Sequence, residues 1–164
     1  MQLKSLLVAA ALALSASAAP AAVEKRQTYS DYFPPVGEMA YCLNPFNTAA
    51  CIAAHGHAEV ASAAAARLFP RDTLHNGRGD AFRHCYWNAR MVIDIGATKA
   101  KEIADNHEIY SDGPNEEKLM DYANNDTGRR IGGIAYGANK NAKYTYVEDL
   151  CRTFAINGLL VTLK

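Results

Sequence analysis

The chain has 164 residues, and its 17 Lys and Arg residues balance its 17 Asp and Glu residues, so the formal net charge is zero. Acidic and basic residues are interspersed along the sequence. A surface that binds nucleic acid or an anionic membrane requires clustered basic residues, and none are present. We therefore expect neither kind of partner, and the sequence leaves the extracellular substrate or host target unknown.

The first 18 residues have the features of an export signal. Lys4 supplies a positive charge, and the apolar run that follows, residues 6–14, is shorter than the roughly 20 residues that cross a bilayer. Ala16 and Ala18 then provide the small-x-small pattern that a signal peptidase accepts. We predict a signal peptide over residues 1–18 and no membrane span. An uncleaved membrane anchor is the less favoured alternative.

A dibasic pair, Lys25-Arg26, follows soon after this signal. It resembles the cleavage site of a Kex2-type protease, which would imply a fungal secretory route. On this interpretation residues 19–26 are a short propeptide and the mature chain starts at Gln27. The alternative is an ordinary charged linker.

The rest of the chain reads as one mainly α domain. Pro34-Pro35 and several tyrosines indicate an irregular arm over residues 27–47, and residues 48–164 form the helical domain. No convincing alternation of apolar and polar residues indicates a strand. We expect an orthogonal or bundle-like array of about five helices. Their predicted ranges are about 48–69, 80–95, 98–110, 116–131 and 143–160.

Four cysteines follow the export signal, and an even number in an oxidising compartment favours two disulfides. Of the three connectivities, we favour Cys42–Cys51 as a local link and Cys85–Cys151 as a long-range one. The longer loop would contribute about 4 kcal/mol on the chain-entropy account. A zinc cluster is disfavoured because no C-x-x-C pair is present.

Polar residues concentrate in residues 76–91. Asp80 and His84 are four residues apart on a predicted helix, so they share a face, and Asn88 extends the same row. A carboxylate beside an imidazole orients its tautomer and raises its basicity, and the same pair with one more donor suits a metal. The alternative is structural: Asp80 caps the helix and His84 bonds a neighbouring turn.

Two further segments add polar residues to helices that otherwise form core. His107 and Glu108 end one helix, and Asp121 and Asn125 lie four apart on the next. Burying such groups is costly unless they satisfy one another or serve a function. We expect them to meet His84 at one site, and the alternative places each on a solvated face.

The order and spacing of these residues resemble an uncharacterised domain family of secreted bacterial and fungal proteins. The pattern is D-A-F-R-H-x-x-W-N, then H-E, then M-D-x-x-N-N-x-x-G, and it covers residues 76–133. Cys85 departs from it, since a small uncharged residue is expected there. The resemblance implies a shared polar site and names no reaction. The residues that it marks are Asp80, Arg83, His84, Trp87, Asn88, His107, Glu108, Asp121, Asn124, Asn125 and Gly128.

Asn125 also begins an N-x-T glycosylation motif, with Asp126 at the middle position. If Asn125 lines a buried site it cannot carry a glycan, and Asp at the middle position makes a poor acceptor. We expect Asn125 to be unmodified.

Two functions remain open from the sequence. The first is a secreted fungal hydrolase, an effector or virulence-associated factor. Its catalytic candidates are Asp80, His84, His107, Glu108, Asp121 and Asn125. In it His84 is a general base or metal ligand oriented by Asp80, and Glu108 is a general acid or second ligand. A divalent metal, if used, is expected at His84, Asp80 and His107. The substrate-binding candidates are Arg83, Trp87, Asn88 and Asn124.

The second function is a non-catalytic secreted effector or elicitor, a virulence-associated interaction protein in which the polar cluster only fixes helix register. Phosphoester, glycan and lipid ester substrates all stay open for the hydrolase. The two functions differ in one geometric respect: a hydrolase needs His84, His107 and Glu108 to meet in a concave pocket.

Overall fold

A computed structural model of the chain describes residues 36–164. The predicted signal peptide, the propeptide and the first part of the arm lie outside these residues. Five helices and no strand are present within them, which confirms the mainly α fold. No helix in residues 36–164 combines the length and apolar character needed to cross a membrane. The helices are α1 (Val36–Leu43), α2 (Pro45–Leu68), α3 (Arg78–Tyr110), α4 (Asn115–Gly133) and α5 (Lys140–Ile156).

The prediction and the structure both count five helices, but two predicted helices belong to one element, α3, and α1 was not predicted. The predicted helices over 80–95 and 98–110 are the two halves of α3, which bends at Gly96. Gly96 has φ 79° and ψ 162°, a backbone conformation that residues with a Cβ rarely adopt. Gly96 therefore separates two helical parts of α3, and the kink is sharp enough that Nδ1 of His84 and Oε1 of Glu108, on opposite sides of it, lie 3.7 Å apart.

The irregular arm predicted over residues 27–47 is wrong from residue 36 onward, because α1 and the start of α2 occupy that stretch. Asn44 caps α2: its Oδ1 accepts a hydrogen bond from the backbone N–H of Phe46 at 3.1 Å. Pro45 follows at the first helical position, where its missing N–H costs nothing. The Asn-Pro pair is therefore a start signal for a helix, and the prediction treated it as irregular chain.

The long helix α3 lies at the centre and packs against the other four helices. From α2 it receives a face of alanines, including Ala54, Ala58 and Ala61, which are at most 6 % exposed. Such small side chains let the two backbones approach, and the Trp87 indole N–H reaches the carbonyl of Ala54 at 2.9 Å. Phe82, Tyr86 and Met91 of α3 fill the remaining core.

Glycines bring α4 against α3. A Cβ on Gly128 would lie 2.1 Å from the carbonyl oxygen of Cys85, and one on Gly132 would lie 2.7 Å from that of Ala89. No side chain fits between the helices at these two positions. This close approach carries the polar residues of α4 to His84 on α3.

Both expected disulfides are confirmed. Cys42–Cys51 joins α1 to α2 with a Cα–Cα distance of 5.7 Å, and Cys85–Cys151 joins α3 to α5 with 5.9 Å. Cys85 and Cys151 are fully buried. The second disulfide therefore fixes α5 to the same part of α3 that contacts α4.

We predict that Gly128→Ala destabilises the fold by about 1–3 kcal/mol, because overpacking a close contact forces backbone to move. Gly133→Ala is the matched control, since a Cβ there meets nothing within 4 Å and Ala favours a helix. Urea unfolding of both variants beside the parent measures the difference. Equal midpoints for Gly128→Ala and the parent would show that the helices do not depend on this contact.

Candidate functional site

A pocket of about 130 Å³ opens where both ends of α3 meet α4 and the loop between these helices. Acidic groups dominate its wall, with Arg83 and Lys118 as the basic side chains. The lining residues are His75, Asn76, Asp80, Arg83, His84, His107, Glu108, Ser111, Gly113, Glu117, Lys118 and Asp121.

His84 lies at the inner end of this pocket and is 1 % exposed. Its Nε2 is 2.7 Å from Nη2 of Arg83, and its Nδ1 is 3.2 Å from Oδ1 of Asn125. A guanidinium only donates, so Nε2 accepts and the ring proton lies on Nδ1, which donates to Asn125. Burial, helped by the charge of Arg83, lowers the pKa of His84 to about 3, so the imidazole is neutral at physiological pH.

Two carboxylates face this imidazole. Oδ1 of Asp121 is 3.2 Å from Nε2 of His84, and Oε1 of Glu108 is 3.7 Å from Nδ1. Oε1 of Glu108 accepts a hydrogen bond from the Asn125 amide at 2.9 Å. Oδ1 of Asp121 is buried and has no hydrogen-bond partner within residues 36–164. Burial, with Glu108 and Asp80 nearby, raises the pKa of Asp121 to about 8, and burial also raises the pKa of Glu108.

Asp80 has a different environment. Its Oδ2 accepts the backbone N–H of Asn76 at 2.7 Å, and its Oδ1 accepts from Nε of Arg83 at 3.1 Å. Burial alone would raise the pKa of Asp80, but the Arg83 charge and these hydrogen bonds outweigh it and hold the pKa below its usual value. Oδ1 lies 3.7 Å from Nε2 of His84, too far for a hydrogen bond. Asn125, and not Asp80, therefore fixes the tautomer of His84.

The pocket brings together most of the expected catalytic residues. Asp80, His84, His107, Glu108 and Asp121 all line it, and Asn125 lies directly behind His84 and Glu108.

The candidate metal ligands differ from the expected set of His84, Asp80 and His107. One ligand atom each from His84, Glu108 and Asp121 lies within 4.8 Å of the others. Asp80 is instead engaged by Arg83, and Nδ1 of His107 lies 3.5 Å from Oε2 of Glu38.

Of the four expected substrate-binding residues, only Arg83 lines the pocket. Trp87 is buried behind it, with its ring edge-on to His107 at 5.6 Å between centroids. Asn88 is fully buried and donates to Oδ1 of Asn125 at 2.7 Å. Asn124 exchanges two hydrogen bonds of 2.9 Å with the backbone of Val161 and so anchors the C-terminal segment. The helix period shows which face these residues share but not which partner each one meets.

Several residues in or beside the site were not predicted from the sequence, and Lys118, Glu38 and Arg129 are three of them. Lys118 lies one turn before Asp121 on α4, a spacing that could have indicated it. Glu38 comes from the stretch interpreted as irregular, so no helical period indicated it. Arg129 donates to Oδ1 of Asn88 at 3.2 Å and supports the amide pair from behind.

No solved structure matches this chain. The family described as "Domain of unknown function (DUF6973)" matches residues 41–153, more than half of the chain and all of the segment that carries the polar motif. The match agrees with the expected uncharacterised domain family, while the bacterial and fungal range and the motif itself stay expectations. The chain therefore belongs to the DUF6973 family of domains of unknown function.

Proposed function

We propose that this protein is a secreted hydrolase in which His84, Glu108 and Asp121 hold a divalent cation at the inner end of the pocket. The observation that carries the proposal is the meeting of one imidazole and two carboxylates, with ligand atoms within 4.8 Å of one another. An imidazole with two carboxylates suits cations such as Zn²⁺ and Mn²⁺.

The charge of the site supports a cation. Three carboxylates, Asp80, Glu108 and Asp121, face one guanidinium, that of Arg83, and their side chains are at most 16 % exposed. Uncompensated negative charge is expensive at such depth. Burial first, and then the neighbouring charges of Glu108 and Asp80, raise the pKa of Asp121 to about 8, so this carboxyl group retains its proton at neutral pH when no further positive charge is nearby. A divalent cation would balance the negative charge of these carboxylates.

The groups behind the ligands also suit metal binding. Nδ1–H of His84 donates to Asn125, which leaves Nε2, 3.2 Å from Oδ1 of Asp121, as the ring nitrogen that has the lone pair. The Asn125 amide in turn donates to Glu108 and accepts from Asn88. Such second-layer hydrogen bonds typically fix the tautomer and orientation of metal ligands. One amide therefore orients two of the three proposed ligands.

In the proposed reaction, a water oxygen forms a bond to the acyl carbon or phosphorus of an ester while the bond to the leaving alcohol breaks. A bound divalent cation lowers the pKa of water and polarises the ester oxygen. The proton that the water loses ends on the leaving oxygen, and His107, whose ring lines the pocket, is our candidate for carrying it. Asp80 and Arg83 hold the rim of the site through their ion pair.

Secretion is part of the proposal. It is supported by the two disulfides, which persist in oxidising compartments, and by the export signal read from residues 1–18. The dibasic Lys25-Arg26 supports a fungal route.

The alternative, a non-catalytic effector with a structural polar cluster, has one observation in its favour. The amides of Asn88, Asn124 and Asn125 are completely buried and all are hydrogen-bonded, as expected of a network that fixes helix register. A purely structural network would be expected to satisfy its buried polar atoms, whereas Oδ1 of Asp121 has no hydrogen-bond partner among the described residues. A variant of Asp121 therefore tests which of the two functions is correct.

We predict that the chelator-treated protein binds one Mn²⁺ or Zn²⁺ and that Glu108→Gln weakens this affinity at least tenfold, consistent with loss of a charged ligand. Isothermal titration calorimetry measures both. Glu117→Gln is the matched control: this residue lines the same pocket, bonds Asn76 and contributes no proposed ligand. With metal bound, the parent should hydrolyse an ester substrate and Glu108→Gln should not. Absence of stoichiometric metal binding would refute the metal-assisted hydrolase.

We predict that Asp121→Asn abolishes metal binding yet stabilises the metal-free protein at pH 8. The pKa of this carboxyl is raised on folding, so the unfolded chain loses its proton first and stability falls as pH rises from about 4 to about 8. Removing the charge should raise Tm by about 4 °C, equivalent to about 1 kcal/mol for a domain of this size. Thermal unfolding at pH 5 and pH 8 should show a larger gain at pH 8.

Asp126→Asn on the same helix is the control. It weakens the ion pairs of the half-exposed Asp126 with Arg129 and Arg130, which are worth about 0–1 kcal/mol, and should not change metal binding. A marked loss of stability in Asp121→Asn would instead support the structural alternative.

A further inference from the structure

We propose that the pocket binds a phosphate group, so that the substrate is a phosphoester, and that Arg83 turns from His84 to the phosphate when the cation binds. The inference rests on the proposed metal site. Two observations support it: the pocket is lined by two basic side chains, Arg83 and Lys118, and the side chain of Arg83 is partly exposed.

The first step concerns the lone pair on Nε2 of His84. Arg83 directs an N–H of Nη2 at this nitrogen from 2.7 Å. A metal ligand must donate the same lone pair to the cation, so the guanidinium and the cation cannot both use it. Binding of a cation between His84 and Asp121 therefore removes this contact of Arg83.

The second step concerns the space open to Arg83. Its side chain is 32 % exposed, whereas those of Asp80 and His84 beside it are at most 4 % exposed. Its hydrogen bonds within residues 36–164 use Nε and Nη2, and none uses Nη1. The guanidinium thus borders the pocket opening and has donors available there.

The third step concerns Lys118. Its half-buried side chain lines the same pocket, and it takes part in no ion pair within the described part of the chain. The nearby carboxylate Glu117 is instead engaged by the Asn76 amide and lies 3.5 Å from Nε2 of His75. Two basic side chains, Arg83 and Lys118, therefore lie near the opening of the pocket, and the carboxylates of Glu108 and Asp121 lie deeper in it.

This polarity matches a phosphate group bound to a metal. A phosphate monoester or diester has at least two non-bridging oxygens in a tetrahedral arrangement. Such a group can contact a cation, a guanidinium and an ammonium group at the same time. A neutral glycan or acyl ester would leave both basic groups unused. Among the substrate classes that the sequence left open, the pocket therefore favours the phosphoester.

The inference gives Arg83 opposite effects on two ligands. Arg83→Gln should tighten Mn²⁺ binding at least threefold, since it removes a competing positive charge, and should weaken binding of inorganic phosphate to the Mn²⁺-loaded protein at least tenfold. Lys118→Gln should weaken phosphate binding similarly, and it serves as the second variant if Arg83→Gln fails to fold. Lys101→Gln is the control, because Lys101 pairs with Asp105 on the surface of α3.

Calorimetry with Mn²⁺ alone and then with inorganic phosphate gives both affinities. Phosphate should bind tightly only after Mn²⁺. Two results would overturn the proposed turn of Arg83 from His84 to the phosphate. One is equal phosphate affinity in the metal-free and the Mn²⁺-loaded protein, and the other is an unchanged Mn²⁺ affinity in a folded Arg83→Gln. Loss of phosphate binding in Lys101→Gln would show that net charge alone is responsible and would overturn the site.

Substrate assays separate this inference from the proposed function. Mn²⁺-dependent hydrolysis of p-nitrophenyl phosphate or bis(p-nitrophenyl) phosphate supports a small soluble phosphoester, and hydrolysis only of phospholipid vesicles supports a lipid headgroup as its source. Hydrolysis of p-nitrophenyl acetate without phosphate binding would overturn the inference and leave the hydrolase standing. Mn²⁺ and phosphate binding without hydrolysis of any ester would leave the binding site and overturn the enzyme.

Discussion

The approach of Gly128 to the backbone of Cys85 sets the distance between α3 and α4, and the polar site depends on that distance. Every ligand that we assign lies on one of these two helices, with His84 and Glu108 on α3 and Asp121 on α4. The hydrogen bond between Asn88 and Asn125, at 2.7 Å, forms only at such close range. Cys85 also bonds to Cys151, so a single residue of α3 contacts α4 through its carbonyl and holds α5 through its sulfur.

The sequence predicted which residues line the pocket better than it predicted which hydrogen bonds those residues make with one another. The four-residue spacing of Asp80 and His84 correctly placed them on one face, but it could not show that Arg83 would engage Asp80 first. The orienting role belongs to Asn125, 41 residues away along the chain. Helix period fixes direction within a helix, whereas a partner across two helices depends on tertiary packing.

The fold shows a similar division between local signals and packing. The predicted ranges 80–95 and 98–110 left a break at the position of Gly96, where the kink of α3 lies, but the direction in which the chain turns at that glycine depends on how the two parts of α3 pack. On α2, Val60 is 41 % exposed, and alanines form the contact with α3 instead. Hydrophobicity favours Val for burial, while the close approach of α2 to α3 selects residues small enough to fit.

Arg83 and Asp121 show how a stable fold can contain an unfavourable cluster. Arg83 supplies one positive charge to three carboxylates, of which Asp80 and Glu108 are buried and Asp121 is partly buried, and Asp80 takes most of the hydrogen bonds of Arg83. Asp121 is left with a buried oxygen that no described group satisfies. Groups of this kind persist in proteins when the surrounding packing is strong enough to tolerate them, as the alanine and glycine contacts of α3 are here.

The burial of Asn125 also determines when a sugar could be attached to it. The N-x-T motif at residues 125–127 lies within α4, and the Asn125 amide is completely enclosed between Glu108 and His84. A glycosyltransferase could reach this amide only in a chain whose α3 and α4 have not yet packed. A glycan attached at that moment would keep the two helices apart, so in an exporting cell folding and modification of this asparagine exclude each other.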